Sequence, residues 1–426
     1  MENPVLFAEK ILKFRPLPYQ KEILLDGSKR IVLRMCRQSG KSTTLAIKVL
    51  WYAVTHPNST CLILAPSRRQ SSLMMDKIHS FISSMEPEIR RSLFKKLMRE
   101  KVYLRNGSVI VSLPCAEHRL RGFTANLVVL DEVAFFRDDE TVIYSIIYPM
   151  LSTTDGQLIM SSTPWGTDNV FYRVCFDPGF SKHVVTWREP VKYGLMKREF
   201  IEEMKLRIPE ERFRMEFEAE FVEETDSFLP KSLLVKAIDS ELEPYRFERK
   251  YEGTFYIGLD FGKHRDYSVI TVLEKRNSEN IRLIHFKRFP LGTNYASVIG
   301  YCKSICDRWD YVEKICADVT GVGDYIVEDM LETGLPVEGI YFTRRKKEEM
   351  ANYMKSLMES GALKIFYDKD LISELNVEKY GFTKERYVKF WHPEGTHDDA
   401  FWSLALACYA SREEEFFVHS VGKVGR

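Results

Sequence analysis

The run R-M-C-R-Q-S-G-K-S-T, residues 34–43, follows a short apolar stretch and places a glycine, a lysine and two hydroxyls in succession. Those types at that spacing make a phosphate cradle. Gly40 lets backbone amides approach oxygens, Lys41 reaches the outer phosphates, and Ser42, with Thr43 beside it, offers a hydroxyl to Mg²⁺. The pattern G-x-x-x-x-G-K-[ST] has glycine where this chain has Met35. That glycine only serves a turn, so its loss is tolerable if φ stays negative there. Further along, V-V-L-D-E puts Asp131 and Glu132 at the end of an apolar strand. Read alone, such a pair is equally a solvated strand end. After a phosphate loop, the Asp holds the Mg²⁺ shell and the Glu orients or deprotonates the attacking water.

Smaller signals agree with a nucleotide site. Tyr19 and Gln20 precede the loop and could stack on and hydrogen-bond an adenine. Arg37, Gln38 and Ser39 lie inside it. S-S-T-P, ending at Pro164, places Thr163 where a hydroxyl could sense a γ-phosphate. Arg121 or Arg37 could neutralise transition-state charge as an arginine finger, though either also reads as a solvated surface cation.

A second constellation is acidic. Asp260 interrupts the apolar strand Y-I-G-L-D-F-G, where an unpaired charge would cost several kcal/mol, so something should compensate it. Asp318 follows the strand K-I-C-A, and Asp398 and Asp399 open the last helix, where an N-cap role is the plainer reading of the pair alone. Carboxylates from three elements of one sheet can converge on two divalent cations that activate water against a phosphodiester, with Asp266 as a further ligand or a supporting group. Basic segments accompany them: Arg344, Arg345, Lys346 and Lys347 in one run, and Lys384, Arg386 and Lys389 among Tyr387, Phe390 and Trp391 in another. Such patches contact phosphates without reading sequence, and a solvated charge run is the alternative for each.

Positioning these groups requires elements that the chain supplies. Near-continuous apolar runs at 30–35, 59–66, 127–132 and 156–164, separated by helical patterns, predict a parallel sheet with covered faces, in which ligands bind at the carboxyl ends of strands. Residues 180–225, rich in Glu, Lys and Arg with interleaved Phe and Met, predict one or two surface helices in a small subdomain. A new α/β unit begins near 255, with a strand pair at 256–262 and 267–274, a third strand at 281–289, a basic hairpin at 380–391 and a closing helix at 397–411. The expected boundaries are an ATPase domain at 1–226 with its lid at about 180–226, a linker at 227–250 and a second domain at 251–426. Net charge is +1, so any nucleic-acid footprint must be local rather than bulk. The eight cysteines form no C-x-x-C pair and read as reduced core residues of an intracellular protein.

The ordered set P-Y-Q (18–20), R-Q-S-G-K-S (37–42), R-G (121–122), V-V-L-D-E (128–132), S-S-T-P (161–164), F-E-A-E-F-V-E-E (217–224), G-L-D-F-G-K-H-R-D-Y-S-V (258–269), A-D-V-T-G-V-G-D (317–324) and H-D-D-A-F-W-S-L-A-L-A (397–407) resembles the large terminase subunit of tailed bacteriophages. In that family a phosphate loop without its first glycine is ordinary. The resemblance implies an α/β chain: an N-terminal P-loop (ASCE, RecA-like) ATPase domain with a small lid, then an RNase H-like (RuvC-like) nuclease domain. It implies ATP-driven pumping of double-stranded DNA into a procapsid and metal-dependent cutting of concatemers. The implied cofactors are ATP with Mg²⁺, and two Mg²⁺ or Mn²⁺ in the nuclease. The implied partners are the portal, the small terminase subunit and further copies in a pentameric ring, in the cytoplasm of an infected bacterium. It assigns Glu132 as base, Arg121 as finger, Ser161 to Thr163 as coupling, and Asp260, Asp318 and Asp399, with Asp398 behind them, as nuclease carboxylates. Related nucleases often carry a further Asp one turn after the third carboxylate, where this chain has Trp402. A helicase-like translocase whose C-terminal fold only binds DNA is the competing reading.

Overall fold

The computed structural model describes residues 3–120, 122–208, 210–222, 227–245, 251, 253–262, 266–309, 311–320, 325–382, 388–393 and 396–412. The chain divides into two compact units, Met1–Pro244 with Lys364–Asp398, and Tyr245–Leu363 with Asp399–Arg426.

The first unit is built on an eight-stranded sheet. Its strands are β1 (Arg30–Met35), β2 (Thr60–Ala65), β3 (Phe94–Leu97), β4 (Lys101–Leu104), β5 (Val109–Pro114), β6 (Leu127–Asp131), β7 (Gln157–Ser162) and β8 (Ser181–Val185), in the spatial order β3-β4-β5-β2-β6-β7-β1-β8. From β5 to β8 all neighbours are parallel, and β3, β4 and β5 pair antiparallel at one edge. Ile31, Leu33, Ile63, Val129 and Ile159 are buried in one core with Leu45, Val49 and Leu50 of the Lys41–Thr55 helix, as expected where helices cover the faces of parallel strands. The helical pattern expected from 180 onward begins later: Ser181–Val185 is the edge strand β8, hydrogen-bonded to β1. Three short helices follow, Arg188–Lys192, Arg198–Arg207 and Glu210–Glu216, around a separate small core of Met196, Ile201, Phe213 and Phe217.

The second unit is a mixed sheet of β9 (Thr254–Asp260), β10 (Val269–Asn277), β11 (Asn280–Arg288), β12 (Val312–Asp318), β13 (Val337–Ile340) and the two-residue β14 (Leu363–Lys364), ordered β13-β12-β9-β10-β11-β14. β9, β10 and β11 form an antiparallel meander, while β12 runs parallel to β9 and to β13. The Asp399–Ala410 helix lies on this sheet and is buried nearly throughout. Gly258 permits that approach: a Cβ there would stand 1.9 Å from the Ser403 carbonyl oxygen. Ser403 Oγ donates to the Gly258 carbonyl at 3.0 Å and pairs with Thr271 Oγ1 at 2.6 Å, which pins the helix at one height over the strands.

The segment returning to the first unit carries the Lys369–Val377 helix and the antiparallel hairpin β15 (Lys379–Phe382) and β16 (Val388–Trp391). Among the described residues no helix is long and apolar enough to cross a membrane.

Candidate functional site

The loop after β1 reverses through two left-handed residues, Gln38 at φ 59° and Gly40 at φ 76°. Met35 is the buried last residue of β1, so the turn falls past it and glycine is not needed there. Gly40 caps the Lys41–Thr55 helix, and a Cβ on it would stand 2.5 Å from Gln20 Nε2. Gln20 is itself buried, with Oε1 accepting from the Leu17 amide at 2.9 Å. Tyr19 donates its hydroxyl to the Ser39 carbonyl at 2.8 Å, and Ser39 Oγ donates to the Cys36 carbonyl at 2.7 Å. Tyr19 and Gln20 therefore brace the loop from behind. Thr43 occupies the first turn of the helix.

Lys41 Nζ donates to Glu132 Oε1 at 2.8 Å and lies 3.6 Å from Asp131 Oδ1. Ser42 Oγ donates to Asp131 Oδ2 at 3.4 Å. From β7, which runs between β6 and β1, Ser161 Oγ donates to Asp131 Oδ1 at 2.9 Å and Ser162 Oγ to Glu132 Oε2 at 3.2 Å. Glu132 holds φ at 55°, a strained value for a non-glycine residue that the surrounding bonds sustain. Both carboxylates are buried, with Asp131 2% and Glu132 8% exposed, and Lys41 is 8% exposed. Burial pushes the Glu132 carboxyl up, but the charges of Lys41 and then Lys369 outweigh burial and hold it below the usual carboxylate range. Burial dominates at Asp131, which is raised despite Lys41. Burial works against the Lys41 charge, and the two carboxylates restore it and raise its pKa. The donor set suits a nucleotide with its metal. Ser42 and Asp131 present adjacent hard oxygens of the kind Mg²⁺ takes, and Lys41 is a buried cation at a helix start.

Arg37 points to Asp370, with its two terminal guanidinium nitrogens each 3.2 Å from Oδ1. Thr163 Oγ1 accepts from Lys369 Nζ at 2.7 Å. Arg121 lies outside the described residues. The sequence reading missed Tyr367, Lys369, Asp370 and Glu216 around this centre; nothing in Y-D-K-D or in the Glu-rich run before Phe217 marks them out.

In the second unit, Ala317 of β12 stands opposite Leu259 of β9, so Asp318 and Asp260 end neighbouring parallel strands at one edge. Asp399 opens its helix, and its Oδ2 accepts from the Tyr267 amide at 3.2 Å. Tyr267 lies just before Val269, the β10 partner of Asp260, which brings Asp399 to the same edge. Asp318 Oδ1 accepts from the Thr320 amide at 2.9 Å and hydroxyl at 2.6 Å. Burial raises the Asp318 carboxyl, opposed by those bonds and by Lys347. Asp266 is exposed, and Asp398 lies 3.6 Å from His392 Nε2. The carboxylates are the hard donors a divalent cation takes. Among the described residues, however, no three His, Cys, Asp or Glu side chains stand close enough to share one ion.

Of the basic run, Arg344 and Arg345 are exposed at a helix start. Lys346 Nζ donates to the Tyr409 hydroxyl at 2.8 Å and to Glu349 at 3.1 Å. Lys347 Nζ lies 4.3 Å from the centre of the Trp402 ring. Lys384 and Arg386 fall outside the described residues.

Two family models match the chain: "Terminase large subunit, T4likevirus-type, N-terminal" over residues 33–236 and "Terminase RNaseH-like domain" over residues 257–410. The terminase large subunit of Thermus virus P23-45 is 26% identical, covering 93% of this chain and 88% of its own. Among solved structures, the large terminase ATPase domain of Thermus phage P74-26 is 24% identical with a TM-score of 0.46, covering 52% of this chain and 99% of its own. The magnesium-bound large terminase nuclease of phage G20c is 26% identical with a TM-score of 0.37, covering 44% of this chain and 98% of its own.

Proposed function

From the premise that the chain belongs to the large terminase subunit family, we propose that it is a viral DNA-packaging motor with two separate active sites, one hydrolysing ATP to move double-stranded DNA and one cutting it. The observation that carries this reading is the buried cluster of Lys41, Ser42, Asp131 and Glu132 held by Ser161 and Ser162.

In the ATPase site Gly40, Lys41, Ser42 and Thr43 grip the phosphates, and Ser42 and Asp131 hold Mg²⁺. When bound, the ion would supply positive charge to the phosphate oxygens. Lys41 exchanges Glu132 for the phosphate oxygens when the anion binds. Glu132, held ionised, then orients a water and takes its proton. Ser161 keeps Asp131 turned toward Ser42 throughout. An arginine, Arg121 or Arg37, completes the charge balance. Arg37 must first leave Asp370 to do so, which favours Arg121, acting on a neighbouring copy in a ring.

In the nuclease site Asp260, Asp318 and Asp399 would hold divalent cations, Mg²⁺ or Mn²⁺, drawing together on binding, with Asp398 and Asp266 in support. A bound metal would supply an activated water for attack on a phosphodiester. The basic residues Arg344, Arg345, Lys346, Lys347, Lys384 and Arg386 contact DNA phosphates and position the duplex without selecting its sequence. The partners that follow are the portal, the small terminase subunit and further copies of this chain in a pentameric ring, in the host cytoplasm. The domain boundaries expected from sequence, with a lid at about 180–226, belong to the same reading.

The test is plasmid cleavage with Mg²⁺ or Mn²⁺ by the purified chain beside its Asp260→Ala variant, with ATP turnover assayed in the same tubes. Cutting by the unaltered chain alone, with ATP turnover in both, supports two separable sites. ATP turnover without cutting in any metal sinks the nuclease half and leaves a translocase that only binds DNA.

A further inference from the structure

Lys369 stands in the first turn of the Lys369–Val377 helix, whose N-cap Asp368 accepts from the amides of Asp370 and Leu371. A cation there opposes the helix dipole, so its position needs local partners. It has two, both far away in sequence. Nζ donates to Thr163 Oγ1 at 2.7 Å, and it lies 3.2 Å from Glu216 Oε2. The side chains of Lys369 and Glu216 are only 13% and 8% exposed, so removing the lysine would leave a buried carboxylate without this charge.

Both partners belong to the ATPase centre. Thr163 directly follows β7, whose Ser161 and Ser162 hold Asp131 and Glu132. The Glu216 carbonyl accepts from the Arg37 amide of the phosphate loop at 2.8 Å. The flanking residues dock on the same rim: the Tyr367 ring lies 5.4 Å from that of Phe135, and Asp370 takes the Arg37 guanidinium. One short stretch, 367–370, thus touches the residue that follows β7, the phosphate loop and the short turn Val133–Phe135 after the acidic pair.

We propose that Lys369 is a positioning residue for ATP hydrolysis: by holding Thr163 and Glu216 together it sets the spacing between the end of β7 and the phosphate loop, and so the placement of Glu132. The inference rests on the ATPase reading of this site. It also gives the part of the chain that leads out of the second unit a direct hold on the hydrolytic step.

The experiment compares Lys369→Met and Lys369→Arg with the unaltered full chain, measuring steady-state ATP turnover, binding of a fluorescent ATP analogue, and thermal unfolding. Lys369→Met is expected to lower kcat about tenfold or more, since a misplacement near 1 Å is enough for that. KM and analogue affinity should stay within about threefold, because the interaction counts in the reaction and not in binding. Lys369→Arg should recover part of the loss. A kcat per folded molecule that Lys369→Met leaves unchanged overturns the proposal, whatever happens to the unfolding midpoint. Equal losses in kcat and analogue affinity, with no recovery in Lys369→Arg, overturn it too and leave a packing ion pair. If Lys369→Met does not fold, Glu216→Gln tests the same link: a fall in kcat at constant KM supports it, and an unchanged kcat overturns it. An unaltered chain that neither binds nor hydrolyses ATP sinks the ATPase reading itself, an outcome distinct from all of these.

Discussion

The ATPase centre and the carboxylate edge of the second unit both hang acidic side chains from the ends of parallel strands, and they are satisfied by different means. Asp131 and Glu132 meet a buried ammonium and three side-chain hydroxyls, and the Glu132 amide also donates to Asp131. Asp318 and Asp399 are instead held by nearby backbone amides and the Thr320 hydroxyl. The first site holds its counter-charge in direct contact, while at Asp318 the Lys347 charge acts alongside those bonds. The second brings three carboxylates to one edge without closing them on a common point. Burying carboxylates without compensation is expensive, so Lys41 offsets the first pair directly, and a divalent cation at the second edge, as proposed, would add charge there.

The largest effect that separates the two regions is at Glu132. Glu132→Gln removes the base proposed above, and kcat for ATP should fall about 10²–10⁴-fold, the usual worth of a general base. Metal-dependent cleavage should be untouched; loss of both activities would mean the two sites are not separable. Next comes the metal itself. A divalent cation at about one hundred times its Kd should stabilise the second unit by about 2.7 kcal/mol, visible as a raised unfolding midpoint. Asp260→Ala should abolish that rise. A rise that survives in the variant would place the ion elsewhere.

The pH dependence sharpens the contrast further. Burial, aided by Lys287, pushes the His285 imidazole down to about 4, and its Nε2 lies 3.0 Å from the Tyr301 hydroxyl. The folded imidazole therefore stays neutral while the unfolded one takes a proton near its ordinary value. Its contribution is fully present above about pH 6.5 and is lost toward pH 4, with a slope of at most about 1.4 kcal/mol per pH unit. Denaturant titrations at pH 7 and 5 should show this, and His285→Phe should flatten the slope. The smallest effect is at Arg344 and Arg345. Replacing both with Ala should weaken binding to all duplex sequences alike and reduce the salt dependence by roughly two phosphate contacts. A change in sequence preference instead would show that these residues read bases.

The legible parts of this chain were those where local pattern and chemistry coincide. R-Q-S-G-K-S after β1 and V-V-L-D-E in β6 are continuous motifs, and their loop, strand and helix form where apolar periodicity places them. The meander of β9, β10 and β11 and the closing helix were equally visible, because each is a run of one period. Strand β8 was not: S-K-H-V-V is five residues beside a charged helical run, and only its bonds to β1 make it a strand. The work of Tyr19 and Gln20 was half legible. Their proximity to the loop could be read, but the Tyr19 bond to Ser39 and the close seat of Gln20 beside Gly40 could not.

The sequence by itself determined the chemical inventory: a phosphate loop, an acidic strand end, three separated carboxylates, and the secondary structure that carries them. Only the tertiary structure decided the neighbours. It set β7 between β6 and β1, so that Ser161 and Ser162 reach Asp131 and Glu132. It also brought Lys369 to a hydroxyl 206 residues earlier in the chain. The reason is that a motif is recognised by residues adjacent along the backbone, whereas strand order and long-range ion pairs are settled by which apolar faces can be buried together, a property of the whole chain that no short stretch contains.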